Sequence, residues 1–356
     1  MNHAARLDAL REQIDAPLLV SRPPNLRYLT GFTGSNGFLL VRPGGKAVFV
    51  TDGRYGELAE ELVAPLADTE LVVYTSGMWD VFRSLVEGLP AVNLEADGVT
   101  WAFSRDFARE TGIEAVPGGG AVERLRRTKD EAEVAALRAA AGAGDAAFSE
   151  LGGLAIPAVT ERELGWKLID VMRGHGGDAA DWEPIVAAGT GASIPHYRSG
   201  TKPVGTGLLL LDYGCVVVGY HSDMSRTVWL DGIPDEEMAR VYRAVLESQE
   251  AGLAAVAPGV ACGDVDEAAR AVLRGYGYEE HFLHSTGHGV GLEIHEPPWV
   301  RRGNDDLLGV GDVITVEPGV YLPGVGGVRI EDMVLVTESG GAVLTGSHKE
   351  FAEVAG

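Results

Sequence analysis

The stretch His284 to Glu296 reads HSTGHGVGLEIHE, with three histidines and two glutamates set among small and apolar residues. Gly287, Gly289 and Gly291 lie inside it and Gly277 just upstream, loosening the backbone around the imidazoles. Packing alone rarely asks for such crowding. A site is expected here, and the rest of the chain is read outward from it.

Carboxylates come next. Asp212 closes the apolar run LLLLD, where a charge needs compensation. Asp223 follows in HSDMS, on what reads as the return strand of a hairpin folded about Val217 to Gly219, which would set the two side by side. Glu317 ends VITVE, and Glu331 follows VRI. An isolated aspartate is usually a turn or capping residue. Four carboxylates at strand positions are another matter, because converging anions must be scattered, protonated or bound to cations. With histidine at hand, metal is the economical answer. Many carboxylates with one imidazole suit harder divalent ions, Mn²⁺ or Co²⁺ ahead of a structural Zn²⁺, and exceed the needs of one ion.

Together, HSTGHGVGLEIHE, LDYG with HSDMSRT, ITVEPGVY and GVRIED resemble the proline-specific metallopeptidases, aminopeptidase P and prolidase, of the pita-bread fold. FTGSNG (32–37) and TDGRY (51–55) resemble the amino-terminal domain of the same family. The resemblance implies two divalent ions, Mn²⁺ first, with Co²⁺ or Zn²⁺ as alternatives. Asp212, Asp223, His288, Glu317 and Glu331 would be the ligands, Asp223 and Glu331 bridging. Glu317 would also shuttle the proton to the leaving nitrogen, His295 would stabilise the oxyanion, and His196 in IPHYRSG would position substrate. His284 would line the pocket beside the proline ring, Arg329 would hold Asp212, and Tyr321 would stand near the intermediate. His221 is given no role and is read as structural.

The 356 residues call for two domains. Punctuation at Pro117-Gly118-Gly119-Gly120 places the boundary between an α/β domain over 1–121 and an α+β pita-bread domain over 122–356. In the first, strands at 37–41 and 47–51 should be joined by a turn at Pro43-Gly44-Gly45. In the second, the charged segment Glu123 to Lys129 should open one Ala-rich helix running to about Leu151, and Thr160 with Glu163 should form a capping box. Helices are expected at 235–256 and 264–276, and strands at 312–320, 327–337 and near Ala342.

Composition bounds the partners. Twenty-nine basic against 52 acidic residues give a formal charge of −23, which repels nucleic acid and anionic membranes. No apolar run is long enough to cross a bilayer and no basic, apolar leader is present, so a cytoplasmic protein is expected. Cys215 and Cys262 should be reduced and packed. The glycines at 152–153 and 324–327 lack the strand–loop–helix context of nucleotide binding. The tryptophans read as core or rim residues.

The expected activity is that of an Xaa-Pro aminopeptidase acting on peptides with proline in the second position, as a homodimer by family resemblance. A dipeptidase must hold the free carboxylate after proline with a cation, and some prolidases carry an arginine shortly after HE. Here HEPPWV puts Pro297, Pro298 and Trp299 there, with Arg301 and Arg302 slightly later. Prolidase is the alternative, and a non-catalytic pita-bread protein that binds peptides is the second.

Overall fold

The structure is a computed structural model that describes residues 1–180, 182–349 and 351. Two compact units divide it, 1–126 and 127–356. The sequence reading placed the boundary at 121/122, at the start of the helix Ala121–Arg127, whereas the units divide at 126/127, near that helix's end.

In the first unit six strands form a mixed sheet in the order Thr69–Tyr74, Ala47–Asp52, Phe38–Val41, Leu18–Val20, Ala91–Glu95, Glu114–Gly118. Phe38–Val41 and Ala47–Asp52 pair antiparallel around the expected turn, where Gly45 takes φ +82. One face of the sheet is covered by Phe82, Phe103 and Phe107, packed against Phe38 and Leu40. Two helices escaped the sequence reading. Pro23–Thr30 opens on two prolines, which read as breakers but fit the first helical turn, where their missing N–H groups cost nothing. Trp101–Thr111 is capped by Thr100 and ends at left-handed Gly112.

The second unit is built on Gly207–Tyr213, the middle strand between Ile185–Ala188 and Met224–Leu230. Leu208 to Leu211 are buried on both faces of this strand, which is why the sequence shows an unbroken apolar run rather than alternation. A second sheet runs Glu296–Val300, Gly287–Gly289, Val313–Val316, Asp332–Thr337, Gly340–Val343. Helices Glu236–Ala255 and Cys262–Tyr276 pack on each other, and Met238, Val241 and Leu273 share a core with Leu208, Val320 and Ile330. Cys215 and Cys262 are free and buried.

Two local expectations need correction. The Ala-rich segment is three helices, Ala121–Arg127, Glu131–Ser149 and Leu151–Leu154. The cause is Asp130, whose side chain accepts from Glu133 N while Glu133 reaches back to Asp130 N, a capping box that starts a new helix. The same device caps the helix Glu161–Gly174 through Thr160 and Glu163, as its sequence announced. The hairpin is also more complex than one ladder. Its tip folds at Val218 and Gly219, both with positive φ, but the long strands put Asp212 opposite Ser225. Asp223 falls just outside the ladder, because the chains at Gly214 and Ser222 cross so closely that a Cβ on Gly214 would meet Ser222 O at 1.8 Å.

Candidate metal centre

Strand ends converge on a cavity of about 320 Å³ lined by Asp212, Asp223, His288, Glu317 and Glu331, with His196, His284, His295 and Arg329 around them. Asp212 is paired within the strand Gly207–Tyr213, Asp223 directly precedes Met224–Leu230, and Glu317 and Glu331 lie just outside strands, so neighbouring ladders hold the backbone of each. Glu317 follows Val313–Val316, and its N–H donates to Thr286 O at 2.7 Å. Glu331 lies between Gly326–Arg329 and Asp332–Thr337, 2% exposed.

His288 presents one nitrogen to this cluster. Its Nδ1 lies 3.0 Å from Gly289 O, a carbonyl that can only accept, so Nδ1 carries the proton. Nε2 is left as a lone pair, 3.4 Å from Glu317 Oε1 and 3.6 Å from Asp223 Oδ2. Burial, and then the neighbouring His295 ring, pull the His288 pKa down to about 3 and keep the imidazole neutral.

The carboxylates are in the opposite situation. Burial foremost, and then Glu331 beside it, push Asp223 well above the usual range; the same two causes act on Glu317. Glu331 is pushed up to about 8 by burial and by Asp212. Its Oε2 accepts from Ser225 Oγ at 2.8 Å, but Oε1 is buried without a hydrogen-bond partner. A buried carboxylate oxygen with nothing to accept is costly, and a cation at this point removes the cost. Ligand atoms of Asp223, His288 and Glu331 lie within 4.8 Å of one another. Acceptor-only oxygens, a neutral imidazole lone pair and mutual repulsion together fit divalent metal.

Arg329 holds the rim. Its Nη2 donates to Asp212 Oδ2 at 2.5 Å, Nε to Ser225 Oγ at 2.7 Å, and Nη1 to Tyr321 OH at 2.7 Å and Pro195 O at 3.3 Å. Ser225 thus ties Arg329 to Glu331. The Tyr321 hydroxyl, given a donor by Arg329, passes its own proton toward His284 Nε2 at 2.8 Å, while His284 Nδ1 donates to Ser285 O at 2.9 Å. Burial and then the Arg329 charge hold His284 down to about 3, so this ring is neutral as well. Tyr321 is 1% exposed and stands behind His284, its pKa pushed up to about 12 by burial. The segment carrying His284 is fixed from below by the helix Cys262–Tyr276, where Arg270 Nη2 donates to His284 O and Asp266 accepts from Thr286 N and Oγ1.

His196 and His295 are both exposed toward the opening. The His295 ring centroid is 4.3 Å from that of His288, near perpendicular, and burial lowers its pKa. His221, read as structural, is buried with Nδ1 3.2 Å from Gly291 O. Trp299 also lines the cavity, paired in register with His288. Reading it as core or rim missed this. Alternation in HEPPWV held the signal, since His295 and Trp299 four positions apart in a strand share a face.

The comparisons agree with this geometry. Residues 135–338 match Metallopeptidase family M24 and residues 5–128 match the Creatinase/Prolidase N-terminal domain. The chain is 36% identical over 338 residues to the Uncharacterized peptidase YqhT of Bacillus subtilis, covering 94% of each chain. Among solved structures it is similar to the Xaa-Pro dipeptidase from Bacillus anthracis, with TM-score 0.93, 35% identity and 98% and 99% of the two chains covered. It is likewise similar to the X-Pro aminopeptidase from Thermotoga maritima, with TM-score 0.87, 31% identity and 96% and 98% covered. No helix among the described residues is long and apolar enough to cross a membrane. With its amino-terminal α/β domain and pita-bread second domain, the chain belongs to metallopeptidase family M24.

Proposed function

We propose that the protein is an Xaa-Pro aminopeptidase, removing the N-terminal residue from peptides with proline in second position. The supporting observation is the engagement of Arg329. It is the one cationic side chain among the described residues lining the cavity, and it is taken up by Asp212, Ser225, Tyr321 and the Pro195 carbonyl. A free carboxylate directly after proline therefore finds no unengaged arginine or lysine among the described residues lining the cavity, whereas a longer peptide presents a neutral amide there.

Asp212, Asp223, His288, Glu317 and Glu331 would hold two divalent ions, Mn²⁺ first because carboxylate oxygens dominate the donor set. Bound there, such ions supply Lewis acidity and a hydroxide at neutral pH. Glu317 takes the proton of the attacking water on a carboxylate oxygen and gives it to the departing proline nitrogen as the imide bond breaks. His295 donates a hydrogen bond to the carbonyl oxygen as charge builds on it. His196 orients the peptide from the rim. His284, fixed neutral between Tyr321 and Ser285, forms the wall against the proline ring and is backed by Tyr321.

A dipeptidase reading rests on the likeness to the Bacillus anthracis Xaa-Pro dipeptidase, at 35% identity. The two readings separate when Mn²⁺-loaded protein is offered Ala-Pro, Met-Pro and an Xaa-Pro-Ala tripeptide. Release of the first residue from the tripeptide supports the aminopeptidase. Cleavage confined to the dipeptides overturns it.

A further inference from the structure

His288 and His295 bracket a short loop that ends in the strand Glu296–Val300. Residues alternate along that strand: His295, Pro297 and Trp299 are exposed while Glu296, Pro298 and Val300 are buried. The exposed set carries the two cavity residues, His295 and Trp299. What fixes the phase of this alternation is the buried set, and its first member is a charge.

Glu296 Oε1 accepts from Lys129 Nζ at 2.8 Å, with the two side chains 4% and 1% exposed. A buried ion pair is a weak source of net stability but a strict one for geometry, since neither charge tolerates displacement from the other. Lys129 is itself pinned, its N–H donating to Gly311 O at 2.9 Å and its Nζ also to Arg127 O at 3.1 Å. On the other side the carboxylate nests against the turn of the loop. A Cβ on Gly291 would meet Glu296 Oε1 at 2.4 Å, so a larger residue there would push the carboxylate from its place beside Lys129. Gly291 O in turn accepts from His221 N at 2.9 Å.

We infer that Lys129 and Glu296 are positioning residues for the reaction: their buried pair locks the pleat of Glu296–Val300 so that His295 faces the cavity. The inference rests on the role proposed above for His295. It assigns the pair to His295 more than to His288, because His288 has further anchors, its backbone N–H donating to Thr315 Oγ1 and its ring Nδ1 to Gly289 O.

The test compares Lys129→Met, Glu296→Gln and the double variant in the full-length protein reloaded with Mn²⁺. Each single change is expected to lower kcat about 10- to 100-fold, the usual effect of removing a group that orients an active residue, with Mn²⁺ affinity kept. The double variant removes both buried charges, so its melting temperature should recover while kcat stays low. Recovery of kcat together with the melting temperature assigns the pair to stability alone and overturns the inference, as does a loss of Mn²⁺ affinity in step with kcat. Spectra of isotope-labelled histidine keep the two claims apart. In Lys129→Met loaded with diamagnetic Zn²⁺ in place of paramagnetic Mn²⁺, the His295 ring signals should move more than those of His288, whose ring lies 4.3 Å away; unmoved His295 signals overturn the positioning claim. Full turnover by His295→Ala instead overturns the role of His295 itself.

Discussion

Arg329 Nη2 donates to Asp212 Oδ2 at 2.5 Å, and through Ser225 the same guanidinium reaches Glu331. One buried cation therefore orients two carboxylates, Asp212 on the strand Gly207–Tyr213 and Glu331 in the link between Gly326–Arg329 and Asp332–Thr337. Asp223 and Glu317 have no such link, and burial first, then the neighbouring carboxylates, raise their pKa values.

Arg329→Met should release Asp212 and Ser225 together and leave Tyr321 without a donor. Mn²⁺ affinity and kcat/KM are expected to fall about 10- to 100-fold, as for other groups that orient ligands. Titration calorimetry and initial rates measure both. Unchanged values would remove Arg329 from the support of the site.

Glu331→Gln replaces the oxygen that has no partner and should cost more than about 100-fold in Mn²⁺ affinity, beyond what loss of an orienting group gives. Metal-free, however, this variant should melt higher than the parent at pH 8, because a repelling buried charge is gone. A lower melting temperature in the metal-free variant would show that Glu331 is structural.

The pH dependence of the metal-free protein follows from the same residue. Glu331 binds its proton more tightly folded, at about 8, than unfolded, near 4.5, so the folded state holds more protons between those values. Stability is greatest below about 4.5 as far as this group is concerned, and declines as the pH rises through about 8. Melting temperatures of metal-free protein should fall across that window, while Mn²⁺-loaded protein should not follow. Metal binding near neutral pH should release protons, read as a dependence of binding heat on buffer. Absence of proton release would contradict the carboxylate assignments.

Trp299→Arg places a cation on the cavity wall four positions after His295, on the same face of the strand. It should raise kcat/KM for Ala-Pro relative to Ala-Pro-Ala by about tenfold, the value of one modest charge-assisted hydrogen bond. An unchanged ratio would mean that the carboxylate binds elsewhere.

Much of the architecture was legible because hydropathy marks strand ends. LLLLD and VITVE each show an apolar run stopped by an acid, and VRIE sets Glu331 after a strand-like segment carrying Arg329; the structure brings those acids to one cavity. Capping chemistry was equally local: Thr160 with Glu163 was visible, and Asp130 with Glu133 carried the same signal inside an Ala-rich run that masked it. What stayed hidden depends on contacts remote in sequence or on the phase of a pleat. Lys129 meets Glu296 across 167 positions, and neither residue announces the other. Trp299 turns to the cavity only because Glu296 faces inward. Ser225, one of many serines until the ladder sets it opposite Asp212, could not be singled out.

The central claim is that no arginine or lysine among the described residues lining the cavity is free to pair with a carboxylate directly after proline. Comparing kcat/KM of the Mn²⁺-loaded protein for Ala-Pro and for Ala-Pro amide isolates that one charge. An aminopeptidase built as described cleaves the amide at least as well as the free dipeptide; a strong preference for the free carboxylate would contradict the account.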